Sequence, residues 1–152
     1  MSTRFATQHY GAAVKPLLDI GSHVHKSTLE PALVELVKMR ASQLNGCAYC
    51  LDMHSKDARA AGETEQRLYL LPAWRESPFY SPRERAALAW CEALTVLDPR
   101  DGVSDELYAQ TSAVFSEAEL VDLTMAVVVI NSWNRISIAS RAEPGKYQPA
   151  KR

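Results

Sequence analysis

The sequence predicts an all-α fold of about six to seven helices. Three observations carry this: helix caps and proline starts recur along the chain, apolar residues repeat at three- and four-residue spacing, and hairpin signals are scarce. With 152 residues and no linker, repeat or low-complexity tract, the chain reads as a single domain over 1-152, large enough to bury its own core.

Pro16 is placed to open a first short helix, and Pro31 suits the first turn of a second. In the second, Leu33, Leu36, Val37, Ala41 and Leu44 share helical spacing, and Asn45-Gly46 supplies a stop. Asn-Gly also suits a hairpin turn, but neither flank alternates as a strand would. A third helix runs from about Cys47 to Ala61 with Gly62 beyond it, and a shorter one spans about Glu65 to Leu71. "SPFYSP" breaks the chain. Ser81-Pro82-Arg83-Glu84 then combines a capping box with proline at the first helical position, opening a helix through "RERAALAWCEALTVL" that ends at "DPRDG". Ser104 caps a helix through Phe115. Ser116 and Glu119 repeat the capping box before "LVDLTMAVVVINSWNRISIASR". "MAVVVI" alone could be a buried strand, but the capped start and the length of the segment favour helix. Apolar almost all round from Leu120 to Ile130, it belongs deep in the core or against another subunit. The tail "EPGKYQPAKR" reads as loosely held.

Seventeen basic against 18 acidic residues give a formal charge of -1, which supplies no electrostatic reason for a nucleic acid or anionic membrane partner. The start lacks an apolar run of signal-peptide length, and no stretch of about 18 apolar residues occurs. A soluble, cytoplasmic protein is expected. Three cysteines do not resemble the disulfide framework of a small secreted domain.

Two of those cysteines and one of the four histidines fall within eight positions, in "CAYCLDMH". At about 100° per residue, Cys47, Cys50 and His54 share one helix face with Leu51, Ala58 and Ala61, while Asp52, Ser55, Lys56 and Arg59 take the other. Cysteines one turn apart at a helix start are within reach of a disulfide. The unpaired amides and positive partial charge there favour thiolate over thiol. His54 is placed to exchange a proton with Cys50 near neutral pH. Spacing alone leaves three readings open: dithiol redox chemistry, a metal site, or plain packing. No second Cys-x-x-Cys or His-x-x-x-His pair offers the further ligands of structural zinc. Cys91, within "ALAWCEAL", reads as core.

"ELVKMRASQLNGCAYCLDMHSKDARAAGE" resembles the core of the alkylhydroperoxidase D-like branch of the carboxymuconolactone decarboxylase family. "SPRERAALAWCEALT" and "VVVINSWNRISIASR" resemble the helices that follow it, so the resemblance covers roughly 15-141. The pattern is a glutamate twelve residues before the first cysteine, then Cys-x-x-Cys, then histidine four residues on, and Glu35, Cys47, Cys50 and His54 fit it. The resemblance implies that Cys50 is the peroxidatic cysteine, Cys47 the resolving one, and Glu35 with His54 a proton relay. It also implies hydroperoxide as substrate, a separate thiol reductant (a protein or a small thiol), no metal or other cofactor, and a homo-oligomer, a trimer or a hexamer. From the residues alone, Glu35 lies roughly opposite Leu33, Val37 and Leu44, where an exposed glutamate is the usual explanation. The resemblance implies a buried one with a raised pKa, packed toward the cysteine helix. Tyr49 stands where the partner subunit of alkyl hydroperoxide reductase has a second histidine.

The same family contains decarboxylases that act on a lactone and need no dithiol. The expected function is thiol-dependent reduction of hydroperoxides in antioxidant defence. The alternatives are a redox-sensing or metal-binding module and a lactone decarboxylase-like enzyme. Asn131, Trp133, Asn134 and Arg135 read as buried packing with hydrogen-bonded caps and an interface arginine, in preference to substrate binding.

Overall fold

A computed structural model describes residues 3–4 and 10–149, so much of the sequence start and the last residues of the tail lie outside it. Seven α-helices follow one another: α1 Gly11–Lys26, α2 Pro31–Asn45, α3 Ala48–Ala60, α4 Glu65–Leu70, α5 Pro82–Thr95, α6 Asp105–Ser112 and α7 Glu117–Ser140, with a 3-10 turn at Leu71–Ala73 after α4. No strand occurs among the described residues. None of the helices searched is long and apolar enough to cross a membrane.

The caps fall where side-chain chemistry demands them. Ser81 and Ser116 each accept the amide of the residue three on, and Glu84 and Glu119 reach back to close both capping boxes. Thr64 and Ser104 cap α4 and α6 by accepting single amides. Three boundaries differ from expectation. Helix α1 begins before Pro16, which lies inside it. Helix α5 stops at Thr95 instead of running on to Leu97. Helix α6 ends at Ser112, where the Phe115 amide turns back to the Thr111 carbonyl.

Helix α2 is the centre of the domain, packed against α3, α5 and α7. Leu33, Val34, Val37 and Ala41 join a core with Trp90, Cys91, Leu123, Val127 and Ile130. From another side of the same helix, Leu36 and Met39 join a second cluster with Leu68, Leu71, Trp74 and Leu88. Cys91 is buried as expected, and burial pushes its thiol up to about 12, too high to supply thiolate at neutral pH. A polar clamp fixes the last turn of α2 to α7. Asn45 Nδ2 donates to Asn131 Oδ1 at 2.9 Å and Asn134 Oδ1 at 2.8 Å, while Asn134 Nδ2 donates to Ser42 Oγ at 3.0 Å. Asn134 is fully buried, so these bonds satisfy an amide that water cannot reach. Arg135 is exposed and donates back to Asn131 within its own helix.

Along α7 the residues Leu120, Leu123, Ala126, Val127, Val129 and Ile130 are buried, whereas Val121 and Val128 are 56% and 44% exposed. The chain after α7 is not loose where it is described. Gly145 N–H donates to Asp52 Oδ2 at 2.9 Å, Lys56 Nζ to the Tyr147 carbonyl at 3.1 Å, and Tyr147 O–H to Asp57 Oδ1 at 2.7 Å. The polar face of α3, half-buried at Asp52, Lys56 and Asp57, is thus the seat of the tail.

Leu123 on α7 has no exposed surface and belongs to the main core, which also takes residues from α2 and α5. Leu123→Ala should lower unfolding stability by about 2–5 kcal/mol in urea titration, and a loss under about 1 kcal/mol would contradict this packing.

Candidate functional site

The path into the cysteine helix is set by one turn. Gly46 has φ +68°, the left-handed conformation that ends α2, and the Cys47 amide still bonds back to the Ser42 carbonyl at 3.0 Å. Cys47 then becomes the N-cap of α3, its Sγ accepting the Cys50 amide at 3.3 Å. The two Cα atoms are 5.4 Å apart and the sulfurs lie at disulfide distance. Both residues are only 1% exposed.

One turn after Cys50, buried His54 meets α2: its Nδ1 lies 2.8 Å from Glu35 Oε2, and Lys38 Nζ donates to the other Glu35 oxygen at 2.8 Å. A carboxylate can only accept, so Nδ1 carries the proton and Nε2 is the nitrogen left for other chemistry. Burial pushes the Glu35 carboxyl upward, but hydrogen bonds and positive charge from His54 and Lys38 outweigh it and hold the group at about 2. The expected face is therefore correct, but the expected raised pKa is overturned. Glu35 is a half-buried anion.

Asp57 extends the cluster. One ligand atom each from Glu35, His54 and Asp57 lies within 4.8 Å of the others, a set that could approach one cation. In this arrangement Lys38 serves Glu35, and Tyr147 serves Asp57. The bond to Asp57 and burial together push the Tyr147 phenol up to about 12, so it remains a proton donor at neutral pH. Lys38, Asp57 and Tyr147 were not singled out from the sequence. Lys38 and Asp57 each lie three residues beyond a candidate residue, a spacing that places them on the same helix face. Nothing local marks Tyr147.

Cys50, His54 and Lys38 line a cavity of about 490 Å³, whose remaining walls come largely from apolar side chains of α1 and α7, including Val14, Leu18, Ile130 and Trp133. Trp133 thus faces the cavity and is not simply packed. A larger cleft of about 680 Å³ around Trp74, Arg85 and Leu107 lies away from both cysteines.

Residues 11–93 match the carboxymuconolactone decarboxylase family. The chain belongs to that family. It is 48% identical over 126 residues to the uncharacterized protein YdfG of Bacillus subtilis, covering 83% of this chain and 85% of that one. A crystal structure from Agrobacterium tumefaciens, of a protein of unknown function provisionally described as the antioxidant defence protein AhpD, is 37% identical with a TM-score of 0.89, covering 96% of this chain and all of the other. An uncharacterized peroxidase-related protein from Silicibacter sp. TM1040 shares the fold at 19% identity and a TM-score of 0.76, over 88% of this chain and 70% of its own. Together these place the chain with the alkylhydroperoxidase D-like branch of the family.

Because the Glu35 carboxyl is depressed from 4.5 to about 2, its contribution to stability is present above the unfolded value and is lost as pH falls through the folded one. Urea midpoints measured from neutral pH down to about 2 should fall less steeply below about 4.5 in Glu35→Gln than in the parent. Parallel curves would show that the fold does not hold Glu35 as an anion.

Proposed function

We propose that the protein is a thiol peroxidase that reduces organic hydroperoxides at Cys50. The observation that carries this reading is that Cys50 shares its cavity with His54, while its sulfur lies at disulfide distance from Cys47. A buried nucleophile, a base and a second thiol are the parts a dithiol cycle needs.

The Cys50 thiolate attacks the terminal peroxide oxygen, the O–O bond breaks, and the departing alkoxide takes a proton and leaves as alcohol. Cys50 becomes a sulfenic acid. The Cys47 thiolate then attacks the Cys50 sulfur, forming the disulfide and releasing water once the hydroxyl is protonated. His54 Nε2 is the local acceptor and donor of these protons. Glu35 holds the ring by Nδ1 and offsets the positive charge that it gains. Amides at the start of α3 favour the thiolates. A thiol reductant, acting from outside, returns the disulfide to dithiol with two electrons and two protons.

We assign no metal or cofactor to this cycle. We also propose a homo-oligomer, a trimer or a hexamer, since exposed Val121, Val128 and Ile138 leave an apolar part of α7 open.

In Cys47→Ser, one equivalent of cumene hydroperoxide should leave a Cys50 sulfenic acid that dimedone traps, and Cys50→Ser should lose peroxide turnover while keeping its helical signal. Dimedone on no cysteine, or turnover without Cys50, would remove Cys50 from its role. Glu35→Gln should slow oxidation by about tenfold or more and move the remaining activity to higher pH, because without the Glu35 charge the imidazole takes the Cys50 proton less readily and the thiolate forms only at higher pH. An unchanged pH profile would contradict the relay.

A further inference from the structure

Of the buried side-chain nitrogens and oxygens among the described residues, Tyr10 Oη alone has no hydrogen-bond partner. Buried polar groups are nearly always bonded, and one left without a partner is costly to the fold. Tyr10 stands at the N-cap of α1 and lines the cavity that Cys50 and His54 also line. Lys38, His54 and Ser140 in the same wall are engaged within the protein: the first two with Glu35, and the Ser140 hydroxyl with the Ser137 carbonyl.

The packing of α1 on α7 decides which end of the cavity Tyr10 occupies. A Cβ added at Gly21 would lie 3.9 Å from Val129 Cγ1, and His23 Nε2 lies 2.8 Å from Asp122 Oδ1, so the two helices run antiparallel. Moving back along α1 therefore leads toward the C-terminal end of α7, and Tyr10 falls beside Ser137, Ser140 and Ala142, which line the cavity with it. Tyr49, the residue before Cys50, meets Ser137 and Ala142 again in the adjoining groove. Tyr10 and the start of α3 thus share one end of the cavity. The far end, between Gly21, Val24, Ala126 and Val129, is apolar. The volume of about 490 Å³ is about sixteen times the ~30 Å³ that one water takes up in the liquid, far more than hydrogen peroxide needs.

We infer that Tyr10 is a substrate-binding residue: its O–H donates a hydrogen bond to the alkyl-bearing oxygen of an organic hydroperoxide whose plain hydrocarbon body fills the apolar end of the cavity. This role rests on the peroxidase reading and adds to it the group that recognises the oxygen end of the substrate and the kind of body that suits the rest.

A phenol hydroxyl rotates, so it can aim its hydrogen at an oxygen entering the cavity. When the Cys50 thiolate attacks the terminal oxygen, the S–O bond forms, the O–O bond breaks, and the electron pair of that bond goes to the alkyl-bearing oxygen. The bond from Tyr10 strengthens as that charge grows. The terminal oxygen keeps its hydrogen in the Cys50 sulfenic acid. The alkoxide takes the proton that His54 received from Cys50, and Tyr10 keeps its own. Substrate and product alcohol present the same oxygen to Tyr10, which makes the alcohol an unreactive probe of the contact.

The test uses 2-phenyl-2-propanol, the alcohol formed from cumene hydroperoxide, and tert-butylbenzene, which carries a methyl group in place of the hydroxyl. Each is titrated into reduced parent and reduced Tyr10→Phe, with binding followed by the NMR shift of the indole N–H of Trp133, which lines the cavity. The Kd of the alcohol should rise about fivefold in Tyr10→Phe while that of the hydrocarbon stays within about twofold. The melting temperature should not fall, because the hydroxyl bonds nothing in the described protein. In single-turnover stopped flow, oxidation by cumene hydroperoxide should slow by about tenfold in the variant. Alcohol affinity equal in parent and variant, equal weakening of both ligands, or no binding of either ligand by the parent would overturn the inference. If alcohol binding depends on Tyr10 while cumene hydroperoxide leaves the parent's thiols intact, the peroxidase reading fails and Tyr10 stands as the anchor of an apolar alcohol. If the thiols of parent and variant are oxidised equally fast with alcohol affinity unchanged, the peroxidase reading stands and the role of Tyr10 fails.

Discussion

The contact between His54 and Glu35 joins the cysteine helix to the centre of the domain. It is a 2.8 Å bond between α3 and α2, the helix that most of the core surrounds. A carboxylate at that depth is tolerable only with compensating donors, and His54 and Lys38 provide them. The same bond fixes the histidine tautomer. Packing demand and chemical demand therefore meet in one residue pair, and the orientation of α3 against α2 follows from it.

The beginning of α3 is held as firmly as its middle. Asn134 clamps Asn45 and Ser42 in the last turn of α2, Gly46 supplies the left-handed turn, and Cys47 caps the next helix with its own sulfur. A sulfur that caps a helix while lying at disulfide distance from Cys50 has little freedom, which preorganises the pair. Beyond it, the tail crosses α3 and meets Asp57 through Tyr147, next to Glu35 and His54. One short helix thus receives contacts from α2, α7 and the chain after α7.

Much of this was legible in the residues, for physical reasons that also explain the failures. Capping boxes at Ser81 and Ser116 and the Asn45-Gly46 stop are local chemistry, and local chemistry can be read directly. Pro16 misled because a proline marks a helix start only on average; here α1 begins five residues earlier and carries the proline inside. The periodicity of α2 alone suggested an exposed Glu35, since a helical wheel presumes one buried face, whereas α2 is packed from several sides. The family resemblance placed Glu35 toward α3 correctly but implied a raised pKa, whereas hydrogen bonds and charge from His54 and Lys38 outweigh desolvation and lower it. Tyr147 was invisible, because the bond to Asp57 spans ninety residues of sequence and leaves no periodic trace.

Oxidation of the Cys47/Cys50 dithiol by hydroperoxide can be read from free thiols counted in fully reduced protein before and after one equivalent of an alkyl hydroperoxide, with peptide mass mapping. The expected result is the loss of two thiols, a Cys47–Cys50 disulfide and an untouched Cys91. Unchanged thiols, or oxidation confined to Cys91, would contradict it.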